Sequence, residues 1–310
     1  MASSSKSIYV ALAADLLIAV TKFIAGTISN STAMIAEGVH SLVDTLNELL
    51  LLFGLHKSKK KADDLHPFGY GKELYFWSFI VSMLIMGLGG GISIYQGIVH
   101  VIYPEQPGNP TISYIVLGCS ALIEGTSFIV AAKQFNRLRG ELAWWNAIVR
   151  SKDPSNFLVL FEDSAAVVGL FIVFVCTYLN HRMNLPWLDG LASVLVGCLL
   201  VGISLILARE SRSLLMGEGI APETKGKITA LVEKDETVIR VMHIMSTYES
   251  PTEVLLMLIV VFKDNLNTQT INLASDRIRD AIKNEFKLVR YVIIQPETYT
   301  DGVISGNEVL

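Results

Sequence analysis

The chain has 310 residues, 51% of them hydrophobic, and its mean hydropathy is positive. The formal net charge of −4 is mild and gives no indication of nucleic-acid binding, and the three cysteines have no paired spacing, which argues against a disulfide framework or a thiolate metal site. This composition predicts an integral membrane protein with room for one further small domain.

Six apolar stretches are long enough to cross a bilayer, because a spanning helix needs about 20 residues. The fifth stretch is interrupted near its start by two carboxylates, Glu162 and Asp163. We therefore predict a transmembrane domain of six helices over residues 1–208. The six predicted spans are 8–28, 32–55, 76–102, 112–132, 156–179 and 187–207.

Basic residues are concentrated in the segments that follow the second, fourth and sixth spans, whereas the alternate loops hold almost none. Loops rich in lysine and arginine remain on the cytoplasmic side of a membrane. We therefore expect both termini of the chain, and the long segment after the sixth span, to lie in the cytoplasm.

The segment after residue 208 has the pattern of a soluble domain. A helix opened by Pro222 is followed by two apolar runs around Ser250-Pro251, which reads as a hairpin, then by a helix and a final strand. The predicted elements are 222–234, 238–248, 253–262, 268–286 and 289–294. Residues 209–298 are thus predicted to form an α+β domain with helices on one face of a three-stranded sheet, followed by a flexible tail at 299–310.

The second span contains His40 and Asp44, four residues apart and therefore on one face of a helix, which Glu37 and Asn47 extend by a turn each way. An ionisable residue at bilayer depth costs roughly 2.5–3.5 kcal/mol on insertion scales, so it suggests a functional site. An imidazole and a carboxylate at this spacing offer two ligands to a divalent metal ion. The alternative is a polar pair that is hydrogen-bonded at a helix–helix interface.

In the fifth span, Glu162 and Asp163 are adjacent and lie about 100° apart around a helix, so only one can point squarely at a partner helix. The alternative is that one of the two, Glu162 or Asp163, is a solvated charge in an aqueous vestibule. Together with His40 and Asp44, these carboxylates suit Zn²⁺, with Fe²⁺, Co²⁺ and Mn²⁺ as competitors. Because protons compete with metal for such ligands, a pocket open to each side in turn would exchange metal for protons.

Other ionisable residues in the predicted spans include Asp15, Lys22, Glu124 and Asp189. Asp15 and Lys22 share a helix face and suggest either an intramembrane pair or contacts with separate partners, while Glu124 has no assignment. Asp189 stands at the start of the sixth span, where a carboxylate favours the positive end of that helix.

Several segments in combination resemble a known family, the cation diffusion facilitators (solute carrier family 30), over residues 8–297. The segment in the fifth span looks most like the branch that contains zinc transporter 9 and its bacterial relatives. The segments are Ser31-Thr32-Ala33-Met34 with His40-x-x-x-Asp44-x-x-Asn47, Asp63-Asp64-Leu65-His66-Pro67-Phe68-Gly69-Tyr70-Gly71-Lys72, Phe161-Glu162-Asp163-Ser164-Ala165-Ala166-Val167-Val168-Gly169 and Asp189-Gly190-Leu191-Ala192-Ser193.

The resemblance implies six transmembrane helices, a cytoplasmic ferredoxin-like domain, a homodimer, and antiport of Zn²⁺ for protons that exports the metal from the cytoplasm. We expect the host membrane to be the bacterial plasma (inner) membrane. The family's transport site takes two ligands from the second helix and two from the fifth. In this chain that set is His40, Asp44 and Asp163. The position of the remaining ligand is Val159, so Glu162 or water is expected to complete the set.

Two further departures from the family pattern concern sites outside the spans. In the loop after the second span Asp63 and His66 match a second metal site, but Tyr70 replaces its last histidine, so we expect no firm site there. In the soluble domain Gln295 and Glu297 stand where a His-x-Asp pair would fall, so we expect a dimerisation element without a strong dinuclear site.

Three alternatives to a zinc exporter stay open at the level of sequence. The first is a Mn²⁺ or Fe²⁺ exporter of the same family, and the second is a non-transporting membrane scaffold or sensor. The third is an intramembrane hydrolase that uses His40, which we disfavour because the chain lacks a nucleophile set or a His-Glu-x-x-His motif. We therefore expect no enzymatic activity and no cofactor, with the metal ion as transported substrate.

Overall fold

The computed structural model describes residues 2–104, 110–141 and 143–297, so the predicted tail at 299–310 lies outside the described residues. The chain divides into two compact units. The first contains the chain up to Lys61 and Lys72–Ser213, and the second contains Ala62–Gly71 and the chain from Leu214. The predicted boundary after residue 208 stays a prediction, and the helix that spans it continues to Leu215.

The first unit is built from helices. Their bounds are α1 (Ala2–Ser29), α2 (Thr32–Ser58), α3 (Glu73–Leu84), a π-helical segment (Ile85–Gly91), α4 (Ile92–Ile102), α5 (Pro110–Leu138), α6 (Trp144–Arg150), α7 (Pro154–Met183) and α8 (Trp187–Leu215).

Five stretches of helix in the described part of the chain are long and apolar enough to cross a membrane, and they correspond to the second to sixth predicted spans. They are α2, the α3–π–α4 segment, α5, α7 and α8. The first predicted span lies within α1, a helix of 28 residues, and its membrane crossing stays a prediction. Large apolar side chains on these helices remain exposed, among them Leu17, Leu122 and Phe171. Such an outer surface suits lipid.

The third span is not one continuous α-helix, because seven residues with the sequence Ile-Met-Gly-Leu-Gly-Gly-Gly form a π-helical segment. Glycines also bring this span very close to α8. A Cβ atom on Gly97 would lie 2.7 Å from the carbonyl oxygen of Gly190, and one on Gly90 would lie 3.0 Å from that of Gly197. Only residues without side chains permit this approach of the two backbones.

Asp189 stabilises the start of α2 rather than only its own helix. Its carboxylate accepts hydrogen bonds from the hydroxyls of Ser31 and Thr32, at 2.5 and 2.9 Å, and from the backbone N–H of Ala33 at 3.1 Å. The predicted attraction of this carboxylate to a helix N-terminus therefore also operates across an interface, where it ties the first turn of α2 to α8.

The second unit has the predicted α+β architecture. Its elements are α9 (Pro222–Val232), β1 (Val238–Ser250), β2 (Glu253–Phe262), α10 (Thr268–Glu285) and β3 (Val289–Glu297). β1 and β2 form the predicted antiparallel hairpin, and β3 adds parallel to β2, giving the order β1-β2-β3. The apolar stripe of α10 is buried at Ala274, Ile278 and Ile282, and Asn267 caps its start.

The loop that connects α2 and α3 belongs to this second unit. The ring of Phe68 packs edge-on against Tyr291 of β3, with centroids 5.3 Å apart. Gly71 lies against the backbone at Glu249, where a Cβ atom would overlap the carbonyl oxygen. The glycine in this motif is therefore required by a close backbone approach.

Candidate metal-transport site

His40 and Asp44 share one face of α2, as their spacing predicts. The imidazole Nδ1 lies 3.4 Å from Oδ1 of Asp44, and His40 is only 1% exposed. Neither ring nitrogen makes a hydrogen bond, and Oδ1 of Asp44 makes none either. A buried polar group without a partner costs about 1–3 kcal/mol, so this pair is not explained as a hydrogen-bonded interface contact.

The two carboxylates of α7 point to different helices. Oε1 of Glu162 accepts a hydrogen bond of 2.7 Å from the amide of Asn47 on α2. Oδ2 of Asp163 accepts one of 3.0 Å from the hydroxyl of Ser127 on α5. Glu162 is 8% exposed and therefore buried against α2 rather than solvated, whereas Asp163 is partly exposed and the alternative of a solvated charge stays open for it.

The second and fifth predicted spans are in contact, since α2 packs against α7 and α5 also packs against α7. The Asp44 carboxylate is close enough to those of Glu162 and Asp163 to interact with them electrostatically. Among the described residues, however, no three His, Cys, Asp or Glu side chains stand close enough together to enclose a metal ion. The four-residue set His40, Asp44, Asp163 and Glu162 therefore stays a prediction.

Val159, at the position where the family pattern has a ligand, is 40% exposed on α7 and carries no donor atom. The fifth helix therefore offers carboxylates only at Glu162 and Asp163.

A second buried ionic cluster adjoins this site, centred on the ammonium of Lys22. Its Nζ atom donates to Oε2 of Glu37 at 3.0 Å, to the Ser41 hydroxyl at 2.9 Å and to Oε1 of Glu124 at 2.6 Å. Lys22 is fully buried, so its three N–H donors are satisfied inside the protein. We call Lys22, Glu37, Ser41 and Glu124 the lysine cluster. Of the two alternatives for Lys22, an intramembrane pair with Asp15 or contacts with separate partners, the structure shows the second, and Glu124 is one of these partners.

A glycine on α7 makes room for this cluster. A Cβ atom on Gly169 would lie 2.7 Å from Oε1 of Glu37, so a glycine on α7 allows the carboxylate to reach that helix. Asp15 does not pair with Lys22 through a hydrogen bond, and it lies instead against the carboxyl of Glu48 on α2. A lysine and two glutamates at membrane depth were the sequence signal for the lysine cluster. The sequence did not indicate that these three residues contact one another.

The loop residues that match a second family site contact one another. Oδ1 of Asp63 accepts a hydrogen bond from the backbone N–H of His66, and Oδ2 accepts one of 2.8 Å from the Tyr70 hydroxyl. The rings of His66 and Tyr70 lie 4.1 Å apart. Tyr70 thus contributes a hydrogen-bond donor where the family pattern has a metal ligand.

Taken together, the long apolar helices, their exposed apolar side chains and the ionisable groups buried between them define a multi-pass membrane protein. The chain matches the cation efflux transmembrane domain over residues 8–216. It therefore belongs to the cation efflux family, the cation diffusion facilitators that the motifs predicted.

The chain is similar to several named members of this family. It is 31% identical to the mitochondrial proton-coupled zinc antiporter SLC30A9 of Xenopus laevis over 310 residues, covering 97% of this chain and 55% of that protein. It is 33% identical to the human protein of the same name over 241 residues, covering 77% and 42%. The chain thus spans about half the length of these relatives.

A bacterial relative matches over nearly its full length. The manganese efflux system protein MneP of Bacillus subtilis is 26% identical over 302 residues, covering 96% of both chains. Among solved structures, a variant of the MamM C-terminal domain matches with 12% identity and a TM-score of 0.24, covering 25% of this chain and 94% of that one.

Proposed function

We propose that the protein is a proton-coupled divalent cation antiporter that exports Zn²⁺ from the cytoplasm. The observation that carries this proposal is His40, a buried imidazole with neither nitrogen hydrogen-bonded, next to Asp44 and on the face of α2 that meets Glu162 of α7. A neutral imidazole offers the lone pair of one ring nitrogen as a ligand for Zn²⁺.

His40, Asp44 and Asp163 are the proposed ligands, and Glu162 is the candidate for the fourth position. Glu162 accepts its hydrogen bond from Asn47 through one oxygen only, so its carboxylate has acceptor capacity left for a metal ion. A divalent cation would draw these side chains together. The same groups bind protons when the metal leaves, which couples the two ions.

Manganese is the second candidate substrate, for a specific reason. The proposed set has up to three carboxylates and one imidazole, and oxygen-rich sets suit Mn²⁺. The similarity to a protein named for manganese efflux agrees with this candidate, whereas the relatives named as zinc antiporters favour Zn²⁺. Fe²⁺ suits the same mixed set.

We also propose that the protein is a homodimer in the bacterial plasma (inner) membrane, with the α+β domain in the cytoplasm as its dimerisation element. Exposed apolar side chains on the sheet support this role. They are Ile239, Met242, Met245, Met257 and Ile293. The concentration of lysine and arginine in alternate loops supports the orientation.

The test is transport into proteoliposomes with an imposed proton gradient, using ZnCl₂, MnCl₂ or FeCl₂ and a pH-sensitive dye in the lumen. We expect His40→Ala to abolish metal-dependent proton movement, because it removes the imidazole ligand. His181→Ala, which changes an exposed histidine at the end of α7, is the matched control and should transport like the wild type.

Absence of metal-driven proton movement in the wild type would contradict antiport. Wild-type transport by His40→Ala would remove this residue from the site. If the wild type moves none of the three ions under any gradient, the scaffold or sensor hypothesis gains.

A further inference from the structure

The lysine cluster holds more negative charge than its lysine neutralises. One ammonium faces two carboxylates, Glu37 and Glu124, in a part of the protein where neither Lys22 nor Glu37 has any exposed side-chain surface. A purely structural ion pair needs one carboxylate, and a second unpaired charge at membrane depth is costly. The additional carboxylate therefore suggests a further cation.

The two carboxylates of the lysine cluster differ in how far their side chains are exposed. Glu37 is sealed between Lys22 and α7. The side chain of Glu124 is 14% exposed, and its Oε2 atom makes no hydrogen bond, although Oε1 binds the lysine. Glu37 also has one oxygen without a hydrogen bond, Oε1, but it faces Gly169 of α7 and its side chain has no exposed surface. Of the two carboxylates, only Glu124 has an unbonded oxygen on a partly exposed side chain.

The helix that carries Glu124 also contacts the proposed metal ligands. Ser127, one turn further along α5, donates its hydroxyl to Asp163. The carboxylates of Asp44 and Asp163 both lie within electrostatic reach of Glu124. The face of α5 with Glu124 and Ser127 thus joins the lysine cluster to the site that contains His40, whose unpartnered ring is itself 1% exposed.

We propose that Glu124 is a further carboxylate of the cation site and that Lys22 is an internal cation which holds Glu124 while no metal is bound. This inference rests on the proposed function. When a divalent ion enters, Oε2 of Glu124 turns to the metal, and Lys22 keeps Glu37 and Ser41 as partners. Because a carboxylate is a hard ligand, Glu124 favours Mn²⁺ over Zn²⁺ and so determines specificity.

The test measures the concentrations of Zn²⁺ and Mn²⁺ that half-saturate the protein, both in proteoliposome transport and in equilibrium binding to detergent-purified protein. For Glu124→Gln we expect the Mn²⁺ value to rise by about tenfold or more and the Zn²⁺ value to rise less. Thr126→Val is the control on the same helix, because Thr126 is exposed and its hydroxyl bonds only its own helix at Ile123. Unchanged values for both ions in Glu124→Gln would overturn the proposal.

A double variant tests the internal cation without changing the cluster's net charge. Lys22→Met combined with Glu37→Gln removes one positive and one negative charge and leaves Glu124 without its competitor. We expect both metals to half-saturate this variant at lower concentrations than the wild type. A merely structural role would lower the yield of folded protein without that shift, and unaltered concentrations would count against Lys22.

Failure of the inference is distinguishable from failure of the proposed function. If the wild type exchanges neither metal for protons, antiport fails, and the equilibrium binding measurement still tests Glu124. If the wild type transports normally and Glu124→Gln retains the wild-type preference between Mn²⁺ and Zn²⁺, the inference alone fails.

Discussion

Two clusters of buried ionisable groups in the first unit differ in how they are satisfied. In the lysine cluster all three N–H groups of Lys22 have partners. A short distance along α2, both ring nitrogens of His40 lack them. Both clusters have an acid and a base at membrane depth, so composition does not separate them. The difference teaches that a buried ammonium stabilises a fold where its donors are paired, whereas a buried imidazole without partners stays available to an ion.

The largest expected effect is the loss of the paired ammonium. Lys22→Met leaves Glu37 and Glu124 buried without their counter-charge, so we expect it to lower the stability by about 3–5 kcal/mol. Thermal unfolding in detergent measures the change. His40→Ala is the contrasting variant and should lose less stability, because it removes buried packing but no hydrogen bond and leaves no charge without its partner. Equal losses for the two variants would break the comparison.

A smaller effect is expected at Asp189, another buried group whose carboxylate has hydrogen-bond partners. Asp189→Ala removes three hydrogen bonds from the start of α2, and a lost helix cap costs about 0.5–2 kcal/mol. The same unfolding assay measures this loss, and the half-saturating metal concentration of folded protein should remain that of the wild type. A shifted metal concentration with unchanged stability would contradict a purely structural role.

The smallest effect concerns a carboxylate outside the membrane. Although burial alone raises the pKa of Asp235, hydrogen bonds from Thr237 and Arg277 bring it below its ordinary value. Because the pKa of Asp235 is lower in the folded protein than in the unfolded chain, its hydrogen bonds stabilise the fold fully at pH values above the unfolded-state pKa, about 3.9. This stabilisation is lost as the pH falls through the folded-state pKa. Because Arg277 is 55% exposed and solvent screens the pair, we expect less than about 1 kcal/mol.

Hydrogen exchange of the α10 amides in the whole protein, at pH values above and below this range, measures the Asp235 effect. Asp235→Asn should flatten the acid-induced loss of protection, whereas Asp280→Asn, at an exposed carboxylate of the same helix, should keep it. An unchanged profile in Asp235→Asn would show that the exposed pair contributes nothing. Together, Lys22→Met, Asp189→Ala and Asp235→Asn show whether the loss of stability becomes smaller as the substituted group becomes less buried.

The elements of the second unit could be predicted to within a few residues, because alternation and helical periodicity are local signals. β2 has the predicted bounds, 253–262, while β1 runs two residues further than predicted and β3 three. The π-helical segment in the third span was not predicted, since hydropathy does not report hydrogen-bond register. Its run of glycines was the available signal.

The candidate site was predictable in part for the same reason. His40 and Asp44 are neighbours because they are four residues apart on one helix. The partners of Lys22 are 15, 19 and 102 residues away, so only tertiary packing decides them. Likewise, Glu162 and Asp163 are adjacent in sequence, but the helices around α7 determine that one bonds Asn47 and the other Ser127.

The bonds of Asp189 have a mechanical consequence for α2. One end of this helix is tied to the first turn of α8 by three contacts, whereas His40 and Asp44 lie along its length. A translation of α2 would therefore carry the beginning of α8 with it or break those contacts. A tilt of α2 about this end would leave the contacts in place, and the greatest displacement would then occur at the opposite end, near Ser58.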